Sequence, residues 1–241
     1  MKKILASFLL MGVVIFSAAQ TTIKDANAEK RSVSDYHGVA VSGNIELFLS
    51  QGNEESVVIS ADDTKWRDKV VTEVKDGILQ IHMEHSEENR IQFEWPNAKK
   101  IRAYVAVKTI DYLSSSGSGK THIDGKIKTD NMKIVISGSG NVDGGLIAKD
   151  FSLVLSGSAN ADLAGSAEKS TFTITGSGNI RSYDFSTTFC TATISGSGNV
   201  KITVTKELSA HISGSGNILI KGDGMMRDYS ASGSGKFKRV N

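Results

Sequence analysis

Charged residues recur at nearly equal intervals in the second half of the chain, and their types and spacing could do chemistry. They are separated by 19, 19 and 20 residues and comprise Asp143, Asp162, Arg181 and Lys201. If the segments that carry them stack on one another, the two carboxylates lie about 5 Å apart, as a retaining glycosidase requires. Such a pair could also hold a cation. The alternative is a solvated charge column that Arg181 and Lys201 partly neutralise. We favour this alternative because the sequence places no aromatic or histidine side chain beside the pair to shape a sugar cleft.

Asparagines stand two residues before these charged residues and recur once more further along the chain: Asn141, Asn160, Asn179, Asn199 and Asn217. Residues two apart on a strand point to the same face of a sheet, so the asparagines and the charged residues are expected on one outward surface. We call these nine residues the asparagine face. Two roles remain open for it: binding a partner, or holding successive segments together through side-chain hydrogen bonds.

A repeated motif, Ser-Gly-Ser-Gly-Asn-(Val/Ile), determines which elements carry the asparagine face. Its first residue, the anchor, recurs at intervals of 18 to 21 residues: Ser116, Ser137, Ser156, Thr175, Ser195, Ser213 and Ser232. A fixed period near 20 indicates one structural unit stacked on copies of itself. The sequence therefore predicts an all-β fold, a parallel β-helix or β-solenoid. Seven coils about 4.8 Å apart would form a prism about 30 Å long.

Alternation within each repeat predicts which side chains form the core. Mostly apolar residues stand three and one residues before the anchor and five after it, as in Ile134, Ile136 and Val142. These positions share one parity and are expected to point inward. Both motif glycines have that parity and are also expected to face inward. The two motif serines and the asparagine are expected to face outward.

The N-terminal half reads as a β-rich segment with one short helix. Residues 71–75 and 78–83 flank Asp76-Gly77, which is typical of a hairpin turn. Asp62 and Asp63 are candidate N-caps for the helix. Further strands are predicted at 45–49, 56–60, 91–95 and 101–108. Residues 42–45, Ser-Gly-Asn-Ile, resemble a degenerate copy of the motif and indicate that this half begins the same stack.

The chain begins with the features of an export signal. Two lysines precede an apolar run from Ile4 to Phe16, and small residues follow up to Ala19. This order predicts a signal peptide over residues 1–19, cleaved after Ala19. Residues 20–36 are polar and are expected to form a flexible lead-in. We assign 37–112 to the N-terminal β-rich part and 113–241 to the repeat solenoid. No later apolar run is long enough for a membrane-spanning helix, so no integral membrane segment is expected after signal cleavage.

Composition excludes several classes of function. Without Lys2 and Lys3, 26 basic residues balance 26 acidic ones, which argues against a nucleic-acid partner. Cys190 is the only cysteine, so it cannot form an intramolecular disulfide, and its alternating surroundings indicate a buried small side chain. No metal or other cofactor is expected. The segment His82-Met83-Glu84-His85 would need a helix to bring its histidines together, and a strand is predicted there.

The residues also resemble a known family. The segment 39–52, VAVSGNIELFLSQG, the segment 71–79, VTEVKDGIL, and the serial Ser-Gly-Ser-Gly-Asn units occur together in this order. Together they resemble the head GIN domain, a domain of unknown function described as a "putative autotransporter adhesin". The resemblance covers about residues 37–238. It implies a right-handed β-helix-like fold in an exported bacterial envelope protein and supplies no catalytic residues.

We therefore expect an exported, non-enzymatic protein of the periplasm, the cell surface or the medium. Its role would be adhesin-like binding, or a structural role, through the repetitive polar face. Expected partners are a surface glycan or an envelope protein. Self-association through the ends of the solenoid is expected as well, because open ends expose strand edges. The alternative is a polysaccharide-active enzyme that uses Asp143 and Asp162.

Overall fold

The computed structural model describes residues 25, 27–84 and 100–240, together with two short strands before them. The predicted strand 91–95 and most of the predicted signal peptide lie outside these residues. The N-terminal elements are β1 (Val14–Ile15), β2 (Thr22–Ile23), β3 (Glu29–Arg31), β4 (Gly38–Gly43), β5 (Glu46–Gln51), β6 (Ser56–Ala61), α1 (Thr64–Arg67), β7 (Val70–Lys75), β8 (Ile78–Met83) and β9 (Ile101–Val107). The repeats form β10 (Tyr112–Gly117), β11 (Lys120–Gly138), β12 (Asn141–Gly157), β13 (Asn160–Gly176), β14 (Asn179–Gly196), β15 (Asn199–Gly214), β16 (Asn217–Lys221), β17 (Met225–Gly233) and β18 (Lys236–Arg239).

The repeats stack as a parallel β-solenoid of about seven turns, which confirms the predicted fold class. Each repeat pairs in parallel with the next, and the motif anchors are direct partners: Ser137 pairs with Ser156, and Ser195 with Ser213. Since the first residue of each motif meets the first residue of the next, equivalent side chains form columns along the solenoid. A repeat position whose residue type differs from coil to coil therefore forms a column of different side chains.

The core lies inside the coils, where the alternation predicted it. Ile134, Ile136 and Val142 are fully buried, and the same three positions are buried in the next four repeats. The motif serines face outward as predicted. Burying one continuous apolar column per position stabilises the stack without a disulfide, since the transfer of each such side chain from water contributes about 1.5–3 kcal/mol.

The two motif glycines behave differently, so the prediction that both point inward was wrong for the first. Gly117, Gly138 and Gly157 are exposed, and the first glycine has a positive φ in every motif, +125° at Gly196. Glycine adopts this conformation without steric cost, and the chain turns there. The second glycine is buried in all but the last coil, where it is half-buried, and only in the third motif is its place taken by an alanine, Ala159. A Cβ at Gly198 would lie 2.3 Å from the carbonyl oxygen of Gly178, so the coils approach too closely there for a larger residue.

The N-terminal half continues the same sheet, as the degenerate motif indicated. β4 lies beside β10 with Ser42 opposite Ser116, and β5 lies beside β11. The predicted hairpin is β7–β8, with Asp76 and Gly77 at positive φ. Asp63 caps α1 by accepting a hydrogen bond from the backbone nitrogen of Lys65.

Part of the expected flexible lead-in is ordered. β3 pairs antiparallel with β6, and Tyr36 is 2% exposed. The Tyr36 hydroxyl donates a hydrogen bond to the carbonyl oxygen of Ala106 at 2.8 Å. Because β6 needs a partner on its open side, a polar segment with little apolar content still forms a strand there.

Candidate functional site

The five asparagines of the asparagine face bond to one another in an unbroken ladder. Each Nδ2 donates to the Oδ1 of the preceding coil: Asn160 to Asn141 at 3.0 Å, Asn179 to Asn160 at 3.1 Å, Asn199 to Asn179 and Asn217 to Asn199 at 2.9 Å each. All five side chains are half-buried. The amide groups that could recognise a ligand are therefore already engaged between coils, which favours the structural role over binding for this column.

The charged column beside the ladder is also internally paired along much of its length. Asp143 and Asp162 are direct partners in the sheet, as the repeat spacing predicts. Arg181 holds Asp162 with two hydrogen bonds, from Nε at 3.0 Å and from Nη2 at 2.9 Å. This hydrogen bonding raises the pKa of the Arg181 guanidinium, with the charge of Asp162 adding to it. Lys201 follows Arg181 in register and has no ion pair among the described residues.

His122 occupies the coil before Asp143 and binds that carboxylate. Its Nδ1 lies 2.9 Å from Asp143 Oδ1, and its Nε2 lies 3.3 Å from Glu46 Oε1. The ring stacks on Phe48 with centroids 5.1 Å apart, and Phe48 stacks on Tyr104 at 5.0 Å. The expectation that no aromatic or histidine lies beside the aspartates was therefore wrong. The sequence placed His122 in the column, but only the pairing of β5 with β11 brings Phe48 beside it.

This arrangement gives the enzyme alternative no support. Asp143 contacts His122 and Asp162 contacts Arg181, so each carboxylate is already engaged by a neighbouring side chain. Phe48 is stacked between Tyr104 and His122, at interplanar angles of 16° and 26°, so both faces of its ring are covered by protein side chains. Across the described residues, no group of three His, Cys, Asp or Glu side chains is placed to hold a metal ion.

A groove on a different surface of the solenoid has the features that the asparagine face lacks. Two adjoining depressions share Lys169 and Thr171 and enclose ≈ 280 and ≈ 310 Å³. We call them together the cross-coil groove, because their lining comes from successive coils between Asp111 and Arg227. With coils about 4.8 Å apart, these seven coils span about 29 Å. The groove therefore runs along the solenoid axis, perpendicular to the strands.

Three columns of residues form the cross-coil groove. One rim carries Lys133, Ser152, Thr171, Thr191 and Ser209, which pair in register. The other rim carries Asn131, Asp150, Lys169, Phe189 and Glu207, also in register. Buried residues between the rims form the floor: Met132, Phe151, Ser170 and Cys190. Cys190 is buried, as predicted, and this burial raises the pKa of its thiol to about 12.

Several polar groups of the groove have no hydrogen-bond or ion-pair partner within the described part of the chain. They include the charged groups of Lys133, Asp150 and Lys169. The hydroxyl of Ser170 also lacks a partner among the described residues, but it is buried beneath the groove and is not accessible from it. By contrast, Glu207 is paired with Arg227 at 2.9 Å. Sequence reasoning overlooked these residues because it followed the motif. The signal that could have found them lies four and six residues before each anchor. The residue type at these positions differs from repeat to repeat and is often lysine, aspartate, serine or threonine.

Comparison with known proteins is consistent with this architecture. A family model described as "Putative auto-transporter adhesin, head GIN domain" matches residues 35–224. Among solved structures, a "putative adhesin" from Bacteroides fragilis has a TM-score of 0.77 at 22% identity, covering 88% of this chain and 96% of its own. A "putative lipid binding protein" from Parabacteroides distasonis has a TM-score of 0.68 at 26% identity, with coverages of 89% and 96%. A "putative adhesin" from Parabacteroides merdae has a TM-score of 0.61 at 19% identity, with coverages of 89% and 95%.

No curated protein matches the chain. Of the helices in the described residues, none is long and apolar enough to cross a membrane. The family match covers most of the chain and includes both the N-terminal strands and the repeats. The chain therefore belongs to the head GIN domain family.

Proposed function

We propose that the protein is an exported, non-enzymatic, adhesin-like module that binds an extended partner in the cross-coil groove. The description of the family and the names of its structural neighbours support an adhesin-like role at the cell surface. The observation that carries the choice of site is the contrast between two surfaces. The amides of the asparagine face hydrogen-bond to one another in the ladder. By contrast, Lys133, Asp150 and Lys169 line a groove and form no hydrogen bond or ion pair within the described chain.

The test compares charge variants of the two surfaces. A triple variant, K133A/D150A/K169A, removes the three unpaired charged groups of the groove and changes its net charge by a single unit. The matched control is Asp143→Asn with Lys201→Gln, which alters the asparagine face. Protein-coated beads are scored for attachment to whole cells and to purified envelope, after circular dichroism shows that both variants are folded. We expect the groove variant to lose at least tenfold in attachment and the control to retain it.

Other outcomes decide against the proposal. Loss of attachment in the control alone would assign binding to the asparagine face and its charge column. Equal attachment by all three proteins would overturn binding through the groove and leave a structural role for the solenoid.

Export through the predicted signal peptide is the second part of the proposal. It rests on the order of charged, apolar and small residues over 1–19. Expression in a Gram-negative host, followed by fractionation and N-terminal sequencing, should give a mature protein that begins at Gln20. A product retained in the cytoplasm with Met1 intact would contradict it.

Self-association is proposed for the end of the solenoid formed by β17 and β18. Met225 is 71% exposed and Tyr229 44% exposed, although Tyr229 stands at a position that is core in earlier repeats. Light scattering over a concentration series tests this directly. A constant monomer mass would exclude it, and Tyr229→Ser is the variant expected to shift the equilibrium towards monomer.

A further inference from the structure

From the geometry of the cross-coil groove we infer the class of its ligand: an uncharged, linear glycan that lies along the solenoid axis. This inference rests on the proposed function, because it names the partner of the same groove. Three properties of the groove lead to it: its direction relative to the strands, the chemistry of its rims, and the order of its charges.

The direction of the groove excludes recognition by strand addition. A peptide that binds by extending a sheet needs the free N–H and C=O groups of an edge strand. Along the groove, β12, β13 and β14 each have a parallel neighbour on both sides, so their backbone groups are paired between coils. A ligand that crosses them meets side chains only. It must therefore carry its own hydrogen-bonding groups at short, regular intervals.

The rims supply groups that match hydroxyls. Ser152, Thr171, Thr191 and Ser209 present one hydroxyl per coil, about 4.8 Å apart. None of the four has a side-chain hydrogen bond within the described residues. A hydroxyl can donate and accept, and so can the hydroxyls of a sugar chain.

The order of charges disfavours polyelectrolytes of either sign. Lys133, Asp150 and Lys169 stand in consecutive coils, and the ion pair of Glu207 with Arg227 lies at the far end of the groove. A polyanion would face the carboxylates of Asp150 and Glu207, and a polycation would face the two lysines and Arg227. An uncharged chain meets no repulsion. Its hydroxyls can donate to the carboxylates and accept from the lysine amines, giving hydrogen bonds in which one partner is charged.

The experiment measures binding of oligosaccharides by calorimetry. The probes are neutral β-linked glucose and N-acetylglucosamine oligomers of two to eight units, a polyuronate of matched length as the acidic chain, and an unstructured polar peptide. We expect affinity for at least one neutral series to increase with chain length until the chain spans about 29 Å, because each added unit reaches a further coil. The polyuronate should bind at least tenfold more weakly than that series, and the peptide should not bind.

A pair of isosteric variants separates recognition from folding. Thr171→Val with Thr191→Val removes two rim hydroxyls and keeps the shape of the side chains. The matched control, Thr173→Val with Thr193→Val, changes the neighbouring outward column in the same two coils, which does not line the groove. Losing two hydrogen bonds is expected to weaken the neutral oligosaccharide by at least tenfold in the first pair and less than twofold in the control.

The outcomes also distinguish this inference from the proposed function. Tighter binding of the polyuronate or the peptide, affinity independent of length, or equal effects of the two threonine pairs would overturn the inference. If K133A/D150A/K169A still abolished attachment to cells, and protease treatment of the cells did so too, the groove would bind a protein and the proposed function would stand. Intact attachment by K133A/D150A/K169A would overturn both.

Discussion

Replacement of Asn179 by alanine tests whether the asparagine ladder holds the coils together. Asn179 donates to Asn160 at 3.1 Å and accepts from Asn199 at 2.9 Å, so the change removes two ladder hydrogen bonds. At about 1 kcal/mol each, the expected loss is about 2 kcal/mol in the free energy of unfolding. Asn217 makes one ladder bond, and Asn217→Ala should therefore cost about half as much.

Urea denaturation followed by circular dichroism measures both losses. With a slope of about 3 kcal/mol/M, Asn179→Ala should lower the unfolding midpoint by about 0.7 M and Asn217→Ala by about 0.3 M. Ser177→Ala is the control in the same coil, because its side chain is exposed and only its backbone carbonyl accepts a bond from Asn179. We expect the control to match the wild type.

Two results would refute this reasoning. Equal midpoints for Asn179→Ala and the wild type would mean that the ladder contributes no stability. A stable Asn179→Ala protein that no longer attached to cells would identify the column as a binding surface, contrary to the role that its internal hydrogen bonds favour.

Three further changes probe the coil corner, the charge column and the core. Gly196→Ala should cost well over 1 kcal/mol in the free energy of unfolding, because φ is +125° and the new Cβ would lie 2.4 Å from a carbonyl oxygen of the preceding coil. The control is Gly125→Ala, where φ is +76° and a Cβ would have no atom within 4 Å, so this change should cost less. Arg181→Met should change stability by less than about 1 kcal/mol, since the ion pair with the aspartate is half exposed; a larger loss in thermal unfolding would show that the pair is more important than its exposure implies. Because burial raises the pKa of Cys190 to about 12, maleimide should not label it at pH 7 until denaturant unfolds the protein, and rapid labelling of the native state would contradict the buried position.

The architecture could be predicted from the sequence because the spacing of a repeat shows which residues of neighbouring coils pair. The spacing of the anchors fixes which residues pair, and alternation around each anchor fixes which side chains are buried. Ile134, Val142 and the stacked Asp143 and Asp162 all lie where these two rules predict them. The hairpin at Asp76-Gly77 and the cap at Asp63 followed from local chemistry of the same kind.

The alternation rule predicted the wrong side for the first motif glycine, and the reason is local. Parity assumes an extended backbone, and a residue at positive φ ends the extended run, so Gly117 and its equivalents turn the coil and are exposed or half-buried. The strand at Glu29–Arg31 was not predictable from its polar composition, since it forms against β6 and not because of its own propensity.

Which polar residues remain unpaired depends on side-chain contacts in the folded chain. Alternation in the sequence places Asp143, Asn179 and Lys169 on the outside of the coils alike, but their side-chain contacts differ. Asp143 binds His122, and Asn179 bonds to both of its neighbours in the ladder, whereas Lys169 stands at a groove without an ion pair in the described chain. The physical reason is that register follows from backbone periodicity, which a sequence shows directly. Hydrogen-bond satisfaction and surface shape instead depend on which coils and N-terminal strands lie alongside each residue in three dimensions.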